Sequence, residues 1–194
     1  AVGLAARRGA RVTLVAGPVS LPTPIGVTRL DVESAAQMAD AVFGVWFAGG
    51  VDCAVMTAAV ADFRPAHVAP VKLKKRALGD APRIDLTPTV DVLAALGRRR
   101  AAMGAPLLVG FAAETQDVAT YAAGKLRDKR CDVIVANDVS EAGSGFGTDT
   151  NRVTLFVHNA ERPDSPTVDA WPQLPKGEVA SRLWDRLSPL LPAR

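Results

Sequence analysis

"PLLVGFAAETQDVATYAAGKLRDKRCDVIVAND", residues 106–138, decides the fold. Residues 106–114 and 132–138 are short apolar runs of the kind found in strands covered on both faces. Residues 117–130 between them read as a helix. Two buried strands joined by a helix lie parallel, with the crossover right-handed.

The same alternation extends outward from this unit. Upstream, residues 1–10 read as the end of a helix, closed by arginines and by Gly9. Strands follow at 11–17 and 27–32, then a helix over 34–50, capped by Ser34 and stopped by two glycines. An apolar strand over 52–60 leads into 64–82, which has turn chemistry and charge but no period. A short strand is expected at 83–86 and a helix at 89–103. Downstream, 140–151 is a Gly/Ser/Thr/Asp loop, 152–158 and 166–172 pair as a hairpin at the sheet edge, and 176–191 is an amphipathic helix. The expected fold is α/β: a Rossmann-like, doubly wound, mostly parallel sheet with helices on both faces and a C-terminal edge β-hairpin. One domain over 1–194 is expected, starting inside a βαβ unit whose first strand lies upstream of Ala1.

Composition narrows the function. The 194 residues carry a formal charge of only +3, and the basic residues are scattered, so no nucleic-acid stripe is expected. No apolar stretch approaches a membrane span and no signal peptide is visible, which points to a cytoplasmic protein. The two cysteines, Cys53 and Cys131, each head an apolar run and read as reduced thiols. His67 and His158 lack ligand-spaced partners, so no zinc site is expected. "GSGFG" (143–147) precedes a strand rather than a helix, which fails the context of a dinucleotide fingerprint and suggests a mobile lid or a turn.

In doubly wound sheets ligands bind beyond the carboxyl ends of the strands. Three such ends bring Ala58–Asp62, Phe111–Thr115 and Asn137–Asp138 to one edge. Beyond the first end come Lys72, Lys74 and Lys75, which serve either as an anion clamp or as a solvated loop. Lys125 and Lys129 share a helix face and suit phosphates or solvent equally. Asp62 is either a ligand or cation contact or a turn residue, and Asp91 either a dipole-stabilising acid or a ligand contact. Phe111 stacks on a base or fills the core.

"AAVADFRP", "KLKK", "GFAAET", "ANDV" and "GFGTDTN", in this order and at these intervals, resemble phosphopantothenoylcysteine synthetase, the C-terminal half of a bacterial bifunctional coenzyme A enzyme. The resemblance implies a ligase that activates 4′-phosphopantothenate with CTP as an acyl-cytidylate and then joins it to cysteine. It implies Mg²⁺, a homodimer, and fusion to an upstream decarboxylase that alone carries FMN. By the same resemblance Lys72 is catalytic and contacts the nucleotide. Met56, Thr57, Ala58, Asp62, Val90, Asp91, Val92, Leu93, Phe111, Lys125 and Lys129 border the nucleotide, with Asp62 a candidate metal ligand. Ala59, Ala112, Asn137 and Asp138 are candidates for the substrate side. Val90 stands where the family has proline, and the family's glycine-rich turn and N-x-S-S-G-like loop lie upstream of Ala1. An NAD(P)-dependent oxidoreductase on the same architecture is the alternative.

Overall fold

The computed structural model describes residues 1–74, 76, 81–100, 106–114, 117–141, 143–144 and 147–192. Its centre is a five-stranded sheet built on the 106–138 unit. β6 (Leu107–Glu114) and β7 (Val133–Asp138) run parallel, from Val109 opposite Val133 to Glu114 opposite Asp138. β3 (Cys53–Met56) lies parallel on the other side of β6. β9 (Thr154–Val157) pairs antiparallel with β7, and β10 (Thr167–Ala170) with β9, which is the expected edge hairpin. β1 (Val12–Ala16) and β2 (Val27–Asp31) form a parallel pair of their own.

Side-chain alternation divides the core between the two faces of this sheet. Leu108, Ala112, Ile134 and Ala136 face one way. They pack on α2 (Ala35–Phe47), α3 (Val92–Arg100) and α4 (Val118–Asp128) through Trp46, Leu96, Ala122 and Leu126. Val109, Val133 and Val135 face the other way, onto Leu183 and Leu187 of α5 (Lys176–Leu187). Leu96, Leu108, Ile134 and Leu187 are wholly shielded from water, each contributing about 1.5–3 kcal/mol by transfer alone. α1 (Val2–Arg7) rests on α5: the Trp184 indole N–H donates to the Ala1 carbonyl at 3.0 Å, and Arg8 pairs with Asp185 at 2.8 Å.

Local chemistry explains the element ends. At α2 the Ser34 hydroxyl accepts from the Gln37 amide at 3.2 Å, and the Gln37 side chain accepts from the Ser34 amide at 2.9 Å. Gly9 adopts φ +89°, the left-handed conformation expected just past a helix end. Both cysteines are free, and burial pushes each thiol up to about 12.

Several expected bounds shift. The apolar 52–60 run is strand only over Cys53–Met56, because β6 beyond Gly110 pairs with β7 alone. The short strand expected at 83–86 is β5 (Leu86–Pro88), paired antiparallel with β4 (Phe63–Pro65). α3 begins at Val92, where Asp91 caps it, and residues 101–103 of the expected helix lie outside the described residues. α5 stops at Leu187 and tightens into a 3₁₀ turn over Ser188–Leu190 around Pro189. Residues 142, 145 and 146 of the 140–151 loop, with part of the expected lid or turn, lie outside the described residues. Thr150 and Asn151 form β8 against β11 (Leu174–Pro175), and the Gln173 amide donates to the Gly143 carbonyl at 3.1 Å and to the Thr150 hydroxyl at 3.0 Å.

Candidate active site

Because β3, β6 and β7 are parallel, their carboxyl ends share one edge, at Met56, Glu114 and Asp138. The ladder between β3 and β6 ends at Met56 opposite Gly110, while β6 and β7 stay paired for four further residues. The chain after Met56 therefore parts from β6 and opens a hollow of about 280 Å³. Thr57, Ala58, Ala59, Phe111 and Asn137, all expected from sequence, line it together. Ala113, Val139, Asn151 and Lys176 complete the wall. Phe111 and Val135 lie on the α5 face, so the hollow opens on that side of the sheet edge.

The opposite face holds the cations. Lys125, on α4, donates to Glu114 at 2.6 Å, and Glu114 is the last residue of β6. Lys129 donates to one oxygen of Asp91, whose other oxygen accepts the Ala94 amide at 2.9 Å and caps α3. Burial opposes the charge on Asp91, but the Lys129 and Ala94 hydrogen bonds, with Lys129 and Arg98 charge, outweigh it and hold the carboxyl below its ordinary range. Both lysines thus sit at fixed places beside the strand ends, each leaning on one carboxylate. Two glycines allow this: the backbone carbonyl of Lys129 crosses against Gly97 of α3, and Leu93 lies over Gly110 of β6. In neither place is there room for a Cβ.

The remaining sequence candidates separate by position. Val92 and Ala112 are buried, so they can offer only backbone to a ligand, whereas Met56 and Leu93 pack half-buried against the same core. Val90 is exposed just before α3. Asp62 is exposed at the foot of the β4–β5 hairpin, its carbonyl accepting the Thr89 amide at 2.8 Å. Asp138 closes a turn: one oxygen accepts the Ser140 amide at 2.8 Å and hydroxyl at 2.5 Å, and these bonds lower its carboxyl. Lys72 and Lys74 lie exposed in the segment beyond β4, and Lys75 is outside the described residues. A wider hollow of about 470 Å³ lies at the ends of β1 and β2, but its arginine, Arg29, is already tied to Asp31 and to the Leu21 carbonyl.

Sequence reasoning missed Glu114, Asn151 and Lys176. Glu114 was visible as the acid ending an apolar strand, but its lysine partner lies across a helix. Asn151 ended the motif "GFGTDTN" without being given a role, and Lys176 carried no signal; the β8–β11 pairing brings both to the hollow.

The sequence profile of the DNA/pantothenate metabolism flavoprotein C-terminal domain matches residues 2–190. The chain is 48% identical over 160 residues to the coenzyme A biosynthesis bifunctional protein CoaBC of Vibrio parahaemolyticus, covering 81% of this chain and 38% of that protein. It is 47% identical over 163 residues to CoaBC of Bacillus subtilis, covering 84% and 38%. It thus spans little more than a third of the length of these curated relatives. Among solved structures, the C-terminal domain of CoaBC superposes with a TM-score of 0.74 at 36% identity, over 97% of this chain and 79% of that one. The chain belongs to the family of the DNA/pantothenate metabolism flavoprotein C-terminal domain.

Proposed function

We propose that this domain ligates 4′-phosphopantothenate to cysteine through an acyl-cytidylate formed from CTP. The observation that carries the reading is the pair of lysines Lys125 of α4 and Lys129 at its C-cap, each held by a carboxylate, with a separate hollow across the crest. The reaction has two anionic substrates, and the crest offers a place on either side. The relatives' role in coenzyme A biosynthesis agrees with it. The oxidoreductase reading finds no such support: the glycine-containing loop leads into β8, not into a helix.

In the first step a carboxylate oxygen of the acyl substrate attacks the α-phosphorus of CTP. The bond to the β-phosphate oxygen breaks and pyrophosphate leaves. In the second, the cysteine amine attacks the acyl carbon, loses a proton and displaces CMP. Negative charge builds on phosphoryl oxygens in one step and on a tetrahedral carbon's oxygen in the other, so fixed positive groups lower both barriers. An ammonium has three donors, so Lys125 can keep Glu114 and Lys129 can keep Asp91 while each donates to phosphate. Lys72 adds a third charge when its segment approaches the nucleotide. In the hollow, Thr57, Ala58 and Phe111 border the nucleotide, and Ala59 and Asn137 lie on the substrate side.

Magnesium fits this site as a companion of the triphosphate. Among the described residues no cluster of three metal-ligating side chains exists, and Asp62 is an exposed single carboxylate. That donor set suits an ion held mainly by phosphates and water. Bound there, it would neutralise phosphate charge. FMN is assigned to a companion decarboxylase domain, and the ligase domain to a homodimer. Among the described residues no helix is long and apolar enough to cross a membrane.

The test is pyrophosphate release by the intact protein given CTP, Mg²⁺, phosphopantothenate and cysteine. Release that needs phosphopantothenate, and that falls at least a hundredfold in Lys72→Gln, is expected. No release, or full activity in Lys72→Gln, overturns the ligase reading or the role of Lys72 respectively.

A further inference from the structure

We propose that Glu114 is a positioning residue for the nucleotide: it orients the Lys125 ammonium toward the phosphates, although its own charge opposes them. The inference rests on the ligase reading and gives a role to a residue that sequence did not suggest. The fixed place of Glu114 is the first reason. It closes β6, where it stands opposite Asp138 of β7, and its carbonyl accepts the Val139 amide at 3.0 Å. Its side chain is only 18% exposed, and among the described residues Lys125 is the partner of its carboxylate, Nζ to Oε1 at 2.6 Å. Asp138 turns its own carboxylate to Ser140 instead. A single acid on a rigid strand end therefore meets the lysine.

Lys125 is the second reason. Ala122 and Leu126 are buried against the sheet and set the rotation of α4, which fixes the backbone of Lys125 at the edge of that stripe. The long lysine stem is not fixed by the helix, because its bonds turn freely in water. Glu114 supplies what the helix cannot, and it leaves the ammonium the more open partner, at 42% exposed. One of the three ammonium donors goes to Glu114, and the others remain for a ligand. A stem already held in one arrangement spares the nucleotide the loss of rotamer freedom on binding.

The third reason is charge. A carboxylate beside a triphosphate repels it, so Glu114 would weaken binding if it acted by charge alone. Its benefit lies in orientation, which counts most when negative charge grows on the phosphoryl oxygens and fixed donors need no rearrangement to meet it. Asp91 differs, because it also accepts the Ala94 amide, and its loss would disturb α3 as well as Lys129. Among the described residues the Glu114 carboxylate has no such second task, so changes to it report on Lys125.

The experiment follows pyrophosphate release by the intact protein as wild type, Glu114→Gln, Lys125→Gln and the double variant. In Glu114→Gln, kcat should fall about tenfold while KM for CTP changes less than about threefold, since lost orientation and lost repulsion offset each other in binding. In Lys125→Gln, KM for CTP should rise about tenfold, because the acid is left unpaired beside the phosphates. Adding Glu114→Gln to that variant should cost no further kcat and bring KM part of the way back. A double variant that is worse than Lys125→Gln overturns the proposal, as does an unchanged kcat in Glu114→Gln. A collapse of the thermal midpoint in Glu114→Gln assigns the acid to the fold and overturns it equally. Should wild type release no pyrophosphate, the ligase reading fails on its own. Calorimetric titration with inorganic triphosphate then decides Glu114 separately. Binding that Lys125→Gln weakens and the double variant partly restores supports the pairing, and binding that is absent or equal in all four proteins overturns it.

Discussion

Asp91 has two tasks: it caps α3 through the Ala94 amide and anchors Lys129 from α4. Burial alone would raise its carboxyl, but the two hydrogen bonds and the nearby positive charge hold it below the ordinary 3.8. The sign of the pH effect follows. Folding favours the charged form, so the stabilisation is complete above pH 3.8 and fades as pH falls through the lower folded-state value. The Asp91 side chain is nearly half exposed, so water limits the contribution to about 1 kcal/mol or less. Asp91→Asn keeps a good cap but loses the charge. Urea unfolding from pH 5 down to pH 2.5 should therefore show a smaller acid-induced loss in the variant than in wild type. Parallel curves would mean that the Lys129 pair contributes nothing. Asp91 was legible as an acid in the first turn of a helix, and its resemblance to a family acid suggested a nucleotide role. The sequence did not reveal that its carboxylate is already shared between a backbone amide and a lysine 38 positions away.

At the scale of elements, the site depends on how closely α3 and α4 approach. A Cβ on Gly97 would strike the Lys129 carbonyl, a backbone atom with no freedom to swing away. Gly97→Ala should cost about 2–3 kcal/mol by overpacking and lower the thermal midpoint by roughly 4–12 °C. It should also loosen the Lys129–Asp91 pair. Gly124→Ala, on α4 with open space around it, is the control and should be neutral or stabilising by up to about 1 kcal/mol. If both variants melted alike, close packing at Gly97 would not be what seats Lys129. Caps and periodicity made the helices themselves readable, as at Ser34 and Gly9. Helix-to-helix distance was not readable, because a glycine inside a helix looks the same whether it faces a carbonyl or water. Likewise "DCAVMTAAV" is mostly apolar after Asp52, and its sequence does not mark Met56 as the last paired residue. That break creates the hollow, so the strand was legible and the site it opens was not.

Across the whole molecule, the cations of the crest differ in how they are held. Lys125 on α4 and Lys129 at its C-cap are held by carboxylates, whereas Lys72 is exposed on the excursion between β4 and β5. That excursion is pinned at its base by the β4–β5 ladder. The Ala66 amide donates to the Asp85 carbonyl at 2.8 Å, and the Thr89 hydroxyl to the Ala61 carbonyl at 2.5 Å. If Lys72 contacts the nucleotide, binding should protect the described residues of this excursion and leave its base unchanged. Amide exchange separates the two regions. Adding CTP with Mg²⁺ should slow exchange several-fold at residues 67–74 and 81–84 and leave Phe63, Arg64 and Leu86 unchanged. In Lys72→Gln the slowing at 67–74 should largely disappear, because the charge that draws the segment to the phosphates is gone. Slowing of equal size in that variant would show that the segment closes for another reason. Its exposed Val68, Val71 and Leu73 finding an apolar surface would then be the driving contact, and Lys72 a passenger.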